Sequence, residues 1–360
     1  MSRSPDARSG PEGRAPAHRP GFVRRHLALS ILAATALTLT LAVGGWVAYL
    51  QSQLVDVPRF EVDLERPGRP AAVPGDAVTL LLAGVDVNQG RGGTDLATML
   101  ESGAWEPGSY RSDAIMVLHI EAGARAAQLV SIPRDSYVPV AGRGSTKINA
   151  ALSAGGPALL ARTVEDLIGI RLDHVVLVDY AGFTGITRLL GGVEVTVAET
   201  VHDPKNDKTW QAGRHVLEGE EALLYVRQRY GLGRGDFDRV QRQQNFLRAL
   251  LGKATGSGVL ANPVTLTRFV RDLSDLVAVD SSLTPGRLRS LALDNRRLRG
   301  RDLRFLTVPH LGTATIGGAS VVLLDRVATR EMFAAVAVDD FAGWARDRDV
   351  EELPPEDRVR

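Results

Sequence analysis

The sequence predicts an α/β protein with a central mixed β-sheet flanked by helices. Short apolar runs alternate with helical patterns from Val78 to Leu251. Each run is bounded by Gly, Pro or Asp, as expected of a buried strand that leads into a loop. Strands that alternate with helices along a chain are typical of a sheet covered by helices. A chain of 360 residues leaves room for one large domain or two small ones.

Composition excludes several classes of function. The formal net charge is +1, so no global field attracts nucleic acid, and we expect no nucleic-acid partner. Cysteine is absent, which rules out disulfides, thiolate metal sites and a cysteine nucleophile. No GxSxG or GxxxxGK[ST] loop occurs, so serine-hydrolase and P-loop functions lack their defining motifs.

The first fifty residues predict a membrane anchor. Residues 1–25 are rich in Pro, Gly, Ser and Arg and predict a disordered tail. Leu27 to Leu50 contains no charged residue and would span about 36 Å as a helix, enough for a bilayer core, so residues 26–50 are predicted to form a transmembrane helix. A cleaved signal peptide is the alternative. Because the positive charge precedes the span, the tail is expected in the cytoplasm and the rest of the chain outside the cell.

The remaining chain is predicted to form a linker, a catalytic domain and an extension. Residues 51–76 are proline-rich and predict a linker, residues 77–255 the catalytic domain, residues 256–345 a C-terminal extension packed on it, and residues 346–360 a flexible tail. The predicted strands are Val78–Asp86, Ala114–Ile120, Ala126–Asp135, His174–Tyr180, Val193–Val197, Leu303–Val308 and Ser320–Leu324. The predicted helices are Lys147–Ile168 with a break at Gly155 and Gly156, Ala181–Leu190, Leu217–Val226, Asp236 or Asp238 to Lys253, Leu266–Val277, Arg287–Leu293 and Arg330–Val338.

One stretch, Tyr225 to Gln244, concentrates charge between two glycine-flanked turns. It carries five arginines and two aspartates: Arg227, Arg229, Arg234, Arg239, Arg242, Asp236 and Asp238. Guanidinium groups bind phosphate oxygens in a bidentate way, so the stretch fits a phosphate site. Arginine also provides nearly all the positive charge of this chain, so spacing alone leaves a solvated charged surface equally open.

Three further polar clusters lie at the predicted strand ends, where ligands of open α/β sheets bind. Asp86 ends the first strand, Arg111 and Asp113 precede the second, and Arg134 lies in the last residues of the third. Carboxylates within an arginine-rich phosphate site make sense if they hold Mg²⁺, which takes one or two carboxylates together with phosphate oxygens and water. A turn or capping role for Asp86 and a local ion pair between Arg111 and Asp113 are the alternatives.

Taken together, these residues resemble the LytR-CpsA-Psr family. The matching motifs, in order, are LLLAGVD (Leu80 to Asp86), RSDAIM (Arg111 to Met116), SIPRDSYV (Ser131 to Val138), KINAALSAGG (Lys147 to Gly156), VDYAGF (Val178 to Phe183), LLGGVEV (Leu189 to Val195), GRHVLEGEEALLYVRQR (Gly213 to Arg229) and DFDRVQRQQ (Asp236 to Gln244). The resemblance implies a membrane-anchored, Mg²⁺-dependent phosphotransferase with an apolar pocket for a polyprenyl chain. Such an enzyme moves a glycopolymer from a polyprenyl-pyrophosphate carrier to a muramic acid C6 hydroxyl of peptidoglycan.

The resemblance also implies roles for individual residues. Asp86 and Asp113 would hold the metal, and Asp236 would order the arginines from behind. Pyrophosphate would be bound by Arg111, Arg134, Arg227, Arg229, Arg239 and Gln243, and the catalytic set would be Arg111, Asp113, Arg134 and Arg239. Arg234 and Arg242 would then lie on the solvated surface.

One departure and two other functions stay open at this level. The segment between Asp86 and Arg111 is longer than is usual for the family and would be either a lid or an inert insertion. A hydrolase would use the same site with water as the nucleophile, and a non-catalytic envelope protein would bind the lipid without turnover.

Overall fold

The structure is a computed structural model that describes residues 45–359, apart from 63–64, 74, 88–95, 103–104, 106 and 257–261. The chain divides into two units, residues 1–49 and 50–360. The predicted tail (1–25) and most of the predicted transmembrane helix (26–44) lie outside the described residues, and residues 45–53 are helical (α1). Within the described part of the chain, no helix is long and apolar enough to cross a bilayer.

Fifteen strands and nine further helices lie in the described residues. The strands are β1 (Arg59–Phe60), β2 (Val78–Val87), β3 (Tyr110–Ile120), β4 (Ala127–Ser131), β5 (Tyr137–Val140), β6 (Gly144–Lys147), β7 (His174–Asp179), β8 (Val193–Val197), β9 (Val201–Asp203), β10 (Lys208–Trp210), β11 (Gly213–Leu217), β12 (Ala278–Asp280), β13 (Leu303–Thr307), β14 (His310–Ile316) and β15 (Ala319–Leu324). The helices are α2 (Leu96–Ser102), α3 (Asn149–Ile168), α4 (Tyr180–Leu189), α5 (Gly219–Arg227), α6 (Asp236–Gly256), α7 (Pro263–Ser274), α8 (Pro285–Asp294), α9 (Arg326–Ala337) and α10 (Phe341–Ala345).

Seven strands form the central sheet in the order β1-β12-β7-β2-β3-β4-β13. The sheet is mixed, as predicted: β2 runs parallel to β7 and antiparallel to β3, and β4 runs parallel to β13. Its middle strands are nearly continuous apolar runs, because helices cover both faces and leave no solvated side. The predicted α/β class with a central mixed sheet is therefore confirmed.

Alternation along β2 and β3 divides the apolar side chains between the two faces of the sheet. Leu81 and Ile115 point into the main core, which includes Leu160 and Val164 of α3. Met116 and the partly buried Leu82 belong to a different cluster on the other face, which also contains side chains of α6. Successive residues of a strand point to opposite faces, so the same two strands serve both layers.

Helix α3 has the break that the sequence predicts. Gly155 and Gly156 have non-helical dihedral angles, and Pro157 begins the second half of the helix. Proline is tolerated at a first helical position, because an N–H there would have no hydrogen-bond partner within the helix. Gly156 has φ +68°, and a Cβ there would lie 3.2 Å from the Trp105 ring. Both the left-handed backbone conformation and the nearby side chain therefore favour glycine, which has no Cβ, at this position.

The insertion after Asp86 packs partly against the domain. Leu96 and Met99 of α2 are buried in the main core, and the Trp105 ring lies 4.5 Å from that of Tyr110. The amide of Leu96 donates a 3.2 Å hydrogen bond to Asp179 at the end of β7. These contacts place part of the insertion beside the sheet end, and residues 88–95 lie outside the described part.

The domain boundaries drawn from the sequence are wrong on both sides of the catalytic domain. Strand β1 lies within the predicted linker and pairs with β12, which lies within the predicted extension. Strand β13, also in that extension, pairs with β4. The sheet is thus completed by strands from outside residues 77–255, because its edge strands pair with partners far away in sequence. Periodicity reports local structure and carries no information about such partners.

The prediction of a flexible tail over residues 346–360 is also wrong for most of that segment. The amide of Leu353 donates a 2.9 Å hydrogen bond to the Phe305 carbonyl, and the amide of Thr307 donates one to Glu351. Leu353 and Val359 are buried. These two apolar side chains anchor the charged segment beside β13, because the folded domain offers a complementary surface. That surface forms only in the folded protein and cannot be predicted from the sequence of the segment.

Some strands and helix ends also differ from the prediction. Lys147 lies in β6 rather than in a helix, and Arg111 lies inside β3, which extends back to Tyr110. The hairpin partner of the last strand, β14, has no predicted counterpart. These elements carry few apolar residues, so their pairing is set by neighbouring strands rather than by their own pattern.

Candidate functional site

Charged and polar side chains from six parts of the chain converge at one end of the central sheet. They come from β2, β3, the loop after β4, the first residue of α4, the end of α5 and the start of α6. This is the edge at which ligands bind in open α/β sheets. The site is therefore built by tertiary folding from residues more than a hundred positions apart.

A bulge between β2 and β3 places Asp113. Gly84 pairs with Ala114 and the next residue, Val85, pairs with Ser112, so Asp113 has no partner in β2. An extra residue of this kind redirects a side chain and locally increases the twist. Asp86, two residues beyond the bulge in β2, pairs with Arg111. The bulge thus lies between the two carboxylates at the sheet end.

Asp113 is held as a carboxylate by two donors. The Arg134 guanidinium donates to its Oδ1 and the Tyr180 hydroxyl donates to its Oδ2. Burial works to raise the pKa of Asp113, but the charge of Arg134 and these hydrogen bonds outweigh it and hold the pKa below its ordinary value. Tyr180 is the first residue of α4, directly after Asp179, which caps that helix through the amide of Gly182.

Asp86 is in the opposite electrostatic state. Burial first, and the nearby Asp113 charge second, raise its pKa above the ordinary value. Arg227 partly offsets this, with Nη2 3.6 Å from Asp86 Oδ2 and 3.8 Å from Asp113 Oδ2. The guanidinium also lies 4.2 Å above the Tyr180 ring, which fixes its orientation. One arginine therefore bridges two carboxylates that repel each other.

An arginine pocket, defined by Arg134, Arg227, Arg229, Arg239 and Gln243, lies beside the two carboxylates in a cavity of about 270 Å³. Arg239 and Gln243 are one helical turn apart on α6 and line the same wall. Arg229 is exposed and donates a 2.8 Å hydrogen bond to the Tyr230 hydroxyl. Positive charge directed into one pocket is suited to an anion that carries more than one charge.

Asp236 lies behind this pocket and forms an ion pair with Arg239. Burial raises the pKa of Asp236, and the charge of Arg239 partly offsets that effect. Burial lowers the pKa of Arg239, partly offset by Asp236, and an arginine remains a cation after such a shift. Asp236 does not line the pocket, so its contact with a ligand would run through Arg239.

Arg111 and Arg242 occupy positions that differ from those of the other arginines. Arg111 is exposed and lines a second polar cavity next to Asp86 rather than the arginine pocket. The expectation of a solvated Arg242 is wrong: its side chain is fully buried, donates to the Gln228 side chain at 2.7 Å and lies 4.5 Å from the Tyr225 ring. Arg234 is half exposed and pairs with Asp238 and Glu351.

An apolar cavity of about 250 Å³ opens directly beside the arginine pocket. It lies between one face of the sheet and helices α4, α5 and α6, and shares Asp113, Leu223, Arg227 and Gln243 with the pocket. Its apolar lining includes Leu82, Ala114, Met116, Val176, Val178, Phe183, Ile186, Val226, Phe246, Leu247 and Leu250. An apolar cavity that joins a cationic pocket is suited to a molecule with an anionic head and a hydrocarbon tail.

Small residues form this cavity. Gly84 and Ala114 face each other across β2 and β3, and a Cβ on Gly84 would lie 3.2 Å from that of Ala114. Helix α4 approaches the loop after α7 so closely that a Cβ on Gly182 would lie 2.1 Å from the Leu276 carbonyl oxygen. Only glycine permits this approach, which positions Tyr180 and Phe183 of the same helix.

Tyr180 and the residues that line the cavity are not among the site residues that the sequence predicts. Tyr180 was visible as an aromatic residue directly after a strand that ends in a capping aspartate, which places it at the sheet edge. The cavity had no local signal, because its residues are ordinary core residues of six elements. These residues line one cavity only because α4, α5 and α6 leave a gap between themselves and the sheet.

The two carboxylates fit a divalent cation. Asp86 and Asp113 offer hard oxygen ligands beside a pocket for phosphate, the donor set that Mg²⁺ usually takes together with water. Burial first and the Asp113 charge second raise the pKa of Asp86, and a bound cation would offset both effects. Within the part of the chain that the structure describes, no group of three or more His, Asp or Glu side chains forms a complete metal cage. Phosphate oxygens would therefore have to complete the coordination.

Fold and site together define an α/β protein with a cationic pocket that opens onto an apolar cavity at a sheet end. The chain belongs to the LytR_cpsA_psr family, whose model matches residues 59–337. This match includes β1, β12 and β13, in agreement with the sheet and with the corrected boundaries.

Several relatives have names that refer to the cell wall. The chain is 35% identical over 296 residues to the probable cell wall biosynthesis protein LcpB of Corynebacterium glutamicum, covering 82% of this chain and 69% of that protein. It is 35% identical over 186 residues to the polyisoprenyl-teichoic acid–peptidoglycan teichoic acid transferase TagT of Bacillus subtilis, covering 50% of this chain and 53% of TagT. The chain thus spans about half the length of TagT.

Solved structures share the fold. The crystal structure of B. subtilis TagV has a TM-score of 0.59 at 24% identity, covering 74% of this chain and 97% of that one. The structure of TagT bound to LI-WTA has a TM-score of 0.59 at 23% identity, covering 79% and 100%. At this level of identity the likeness establishes the fold alone.

Proposed function

We propose that the protein is a phosphotransferase that moves a glycopolymer from a polyprenyl-pyrophosphate carrier to peptidoglycan in cell-wall assembly. One observation carries the proposal: the arginine pocket and the apolar cavity share Asp113, Arg227 and Gln243. A polyprenyl pyrophosphate has the two chemistries that these neighbouring cavities would bind. The relatives named as teichoic acid transferases support the same class of donor and acceptor.

The donor would bind with its hydrocarbon chain in the apolar cavity and its pyrophosphate among the arginines. Arg134, Arg227 and Arg239 would neutralise the pyrophosphate and the charge that develops on its bridging oxygen. Gln243 would donate through its amide, and Arg229 would close the pocket from the exposed side. Phosphoryl transfer depends mainly on such positioning and charge neutralisation.

In the reaction, the muramic acid C6 hydroxyl would attack the glycan-side phosphorus. A new P–O bond would form to the acceptor, the bond to the bridging oxygen would break, and polyprenyl phosphate would leave. Asp86 is better placed than Asp113 to take the hydroxyl proton, because both oxygens of Asp113 already accept hydrogen bonds. Mg²⁺ held by Asp86 and Asp113 would supply further positive charge at the pyrophosphate.

We further propose that residues 26–50 anchor the protein in the cell membrane, with residues 1–25 in the cytoplasm and the catalytic domain outside. The uncharged run from Leu27 to Leu50 and the arginines that precede it support this topology. A membrane-bound carrier would then lie in the same bilayer as the enzyme. Cysteine labelling of single-cysteine variants in intact cells, at Ser4 and at Ser257, would establish which segments are outside.

The function is tested by reconstitution. The full chain in detergent is incubated with a defined polyprenyl-pyrophosphate-linked glycan, Mg²⁺ and peptidoglycan, and products are identified by mass spectrometry. We expect glycan phosphate on peptidoglycan and release of polyprenyl phosphate. Release of the glycan phosphate into solution at the same rate with and without peptidoglycan would identify a hydrolase instead, and tight lipid binding without turnover a binding protein.

Magnesium is tested separately by binding. The protein is first loaded with farnesyl pyrophosphate in the absence of Mn²⁺, and added Mg²⁺ should then quench or shift its intrinsic fluorescence. Mn²⁺ bound at the same place should increase the relaxation rate of the solvent water protons. Asp86→Asn should weaken Mn²⁺ binding to the loaded protein by at least about tenfold, since it removes one of two charged ligands. Unchanged Mn²⁺ affinity in Asp86→Asn and Asp113→Asn would exclude this site.

A further inference from the structure

A second polar cavity, the α3 cleft, meets the site from the other side. It is defined by Asp135, Thr146, Lys147, Asn149 and Ser153, and has a volume of about 480 Å³. It reaches Asp86, Asp113, Arg134 and Arg229, which it shares with the arginine pocket. With the apolar cavity it shares only Asp113 among the described residues. Three compartments thus meet at Asp113, and the α3 cleft is the one separated from the apolar cavity.

The wall of the α3 cleft is fixed by the backbone. The amide of Asn149 donates to the Arg134 carbonyl at 3.2 Å, and the amide of Ile148 donates to the Ser136 carbonyl at 2.8 Å. The Asp135 carbonyl accepts a 2.9 Å hydrogen bond from Val322 of β15. These bonds tie β6, the start of α3, the loop after β4 and the β14–β15 hairpin into one surface. The cleft is therefore preformed rather than dependent on a bound ligand.

The chemistry of the α3 cleft differs from that of the arginine pocket. Its one lysine, Lys147, is paired with Asp135 at 3.0 Å, so the two charges largely cancel. Thr146, Asn149 and Ser153 add side chains that both donate and accept hydrogen bonds. The exposed Arg111 also lines the cleft. Together these side chains would give a sugar partners for hydroxyl and amide groups of both kinds.

The position of the α3 cleft fits the geometry of phosphoryl transfer. In such transfer the attacking and leaving oxygens lie roughly in line on opposite sides of phosphorus. The apolar cavity lies on the face of the sheet covered by α4, α5 and α6, whereas α3 packs on the other face. A leaving polyprenyl phosphate would depart toward the first face, so the nucleophile must approach from the second.

Resting on the function proposed above, we propose that the α3 cleft is the subsite for the acceptor glycan. It binds the N-acetylated hexose chain so that one hydroxyl faces Asp86 and the phosphorus. Asn149 and Ser153 bind the sugar, and the Lys147–Asp135 pair orients it through both charges. This assigns the two partners of the reaction to opposite faces of the sheet, with the charged residues of the sheet end between them.

The test measures glycan binding apart from turnover. The full chain in detergent, loaded with farnesyl pyrophosphate, is titrated calorimetrically with a soluble β-1,4-linked N-acetylhexosamine tetrasaccharide. Asn149→Ala and Lys147→Ala should each weaken tetrasaccharide binding by about tenfold, since each loses polar or charged hydrogen bonds. Their affinities for farnesyl pyrophosphate should stay within about twofold, because neither residue lines the other two cavities.

The matched control is Arg143→Ala. Arg143 is exposed in the turn between β5 and β6, on the same hairpin as Lys147, and does not line the cleft. It should leave both affinities unchanged. Because Lys147→Ala leaves Asp135 without its partner, Ser153→Ala serves as a variant that removes a hydroxyl and leaves all charges in place. Circular dichroism and thermal unfolding confirm that each variant is folded.

The outcomes distinguish failure of the assignment of the α3 cleft from failure of the proposed transferase function. Tetrasaccharide affinity unchanged in folded Asn149→Ala and Ser153→Ala proteins, no tetrasaccharide binding by the unsubstituted protein, or an equal loss of farnesyl pyrophosphate affinity would each overturn the assignment. Glycan binding that is lost in these variants, by a protein that transfers nothing to peptidoglycan, would retain the cleft and reject the transferase function. Transfer with a raised KM for the acceptor alone would support both.

Discussion

The two faces of the central sheet are built from the same strands and differ in how completely they are filled. On the α3 face, Leu81, Val85 and Val117 are fully buried against the main core. On the opposite face, Leu82, Gly84 and Ala114 border an apolar cavity that α4, α5 and α6 leave open. Alternate residues of β2 therefore contribute to stability on one face and to a binding cavity on the other.

The difference teaches how stability and function are divided in this fold. In a closely packed core, a substitution that removes side-chain volume lowers the stability of the fold. A face with a cavity has fewer contacts to lose, and its side chains can change in size with less effect on folding. We therefore expect substitutions on the α3 face to change the free energy of unfolding, and substitutions on the cavity face or the sheet end to change binding and catalysis.

The largest expected effect on stability is in the α3 core. Leu152→Ala removes a fully buried side chain and should lower the free energy of unfolding by about 2–5 kcal/mol. Leu247→Ala, its counterpart on the cavity face, should cost clearly less, because Leu247 is partly exposed and already borders empty space. Urea denaturation of both variants measures the difference. Equal losses would show that the cavity face is packed as closely as the α3 face.

The largest expected effect on activity is at the sheet end. Arg134→Ala should lower the transfer rate by about 10²–10³-fold, since it removes a cation from the pyrophosphate pocket and from Asp113. Initial rates at saturating donor measure it. Arg234→Ala is the matched control: this arginine pairs with Asp238 and Glu351 and does not line the pocket. If Arg134→Ala retained the full rate, the pocket would not be the site of transfer.

A smaller effect is expected from filling the apolar cavity. Leu250→Trp places a larger side chain in the wall contributed by α6, away from the charged residues. We expect it to weaken binding of a long-chain polyprenyl phosphate by about tenfold and to leave inorganic pyrophosphate binding unchanged. Calorimetry with the two ligands separates the tail from the head. Parallel losses for both would mean that the substitution distorts the pocket rather than filling the cavity.

The smallest effect is the change in the midpoint of thermal unfolding when either aspartate is replaced by asparagine, and the two changes have opposite signs. The pKa of Asp113 is lowered in the folded protein, so its carboxylate stabilises the fold at neutral pH and Asp113→Asn should lower the midpoint of thermal unfolding. This loss should shrink as pH falls through the folded pKa, below the ordinary 3.8. The pKa of Asp86 is raised, so its ionised form is unfavourable at neutral pH and Asp86→Asn should raise the midpoint.

Thermal unfolding from pH 3 to pH 8 compares the two aspartate variants with the unsubstituted protein. The gain in Asp86→Asn should be absent below about 3.8, where the aspartate is neutral in both the folded and the unfolded state, should grow as pH rises above 3.8, and should be complete above the raised folded pKa of Asp86. Two variants with shifts of the same sign would contradict the assigned electrostatic states. Both should still lose activity, because each removes a carboxylate from the sheet end.

Much of the fold was predictable because its central elements carry strong local patterns. Strand β2 is a continuous apolar run, and α3 breaks where two glycines precede a proline. The elements that escaped prediction, such as β1 and β12, are two and three residues long and are stabilised by pairing with each other and with β7. Their signal lies in the partner strand rather than in their own residues.

For the site, the sequence alone determined which charged residues stand at strand ends and helix starts, because hydrophobic periodicity marks those ends. It also determined that Arg239 and Gln243 share a helix face. Only the tertiary structure decided that Arg242 is buried while Arg227 faces Asp86 and Asp113, that a bulge turns Asp113 toward Arg134, and that an apolar cavity adjoins the charges. The physical reason is that charge and periodicity are local properties, whereas burial and empty space depend on which distant segments pack together.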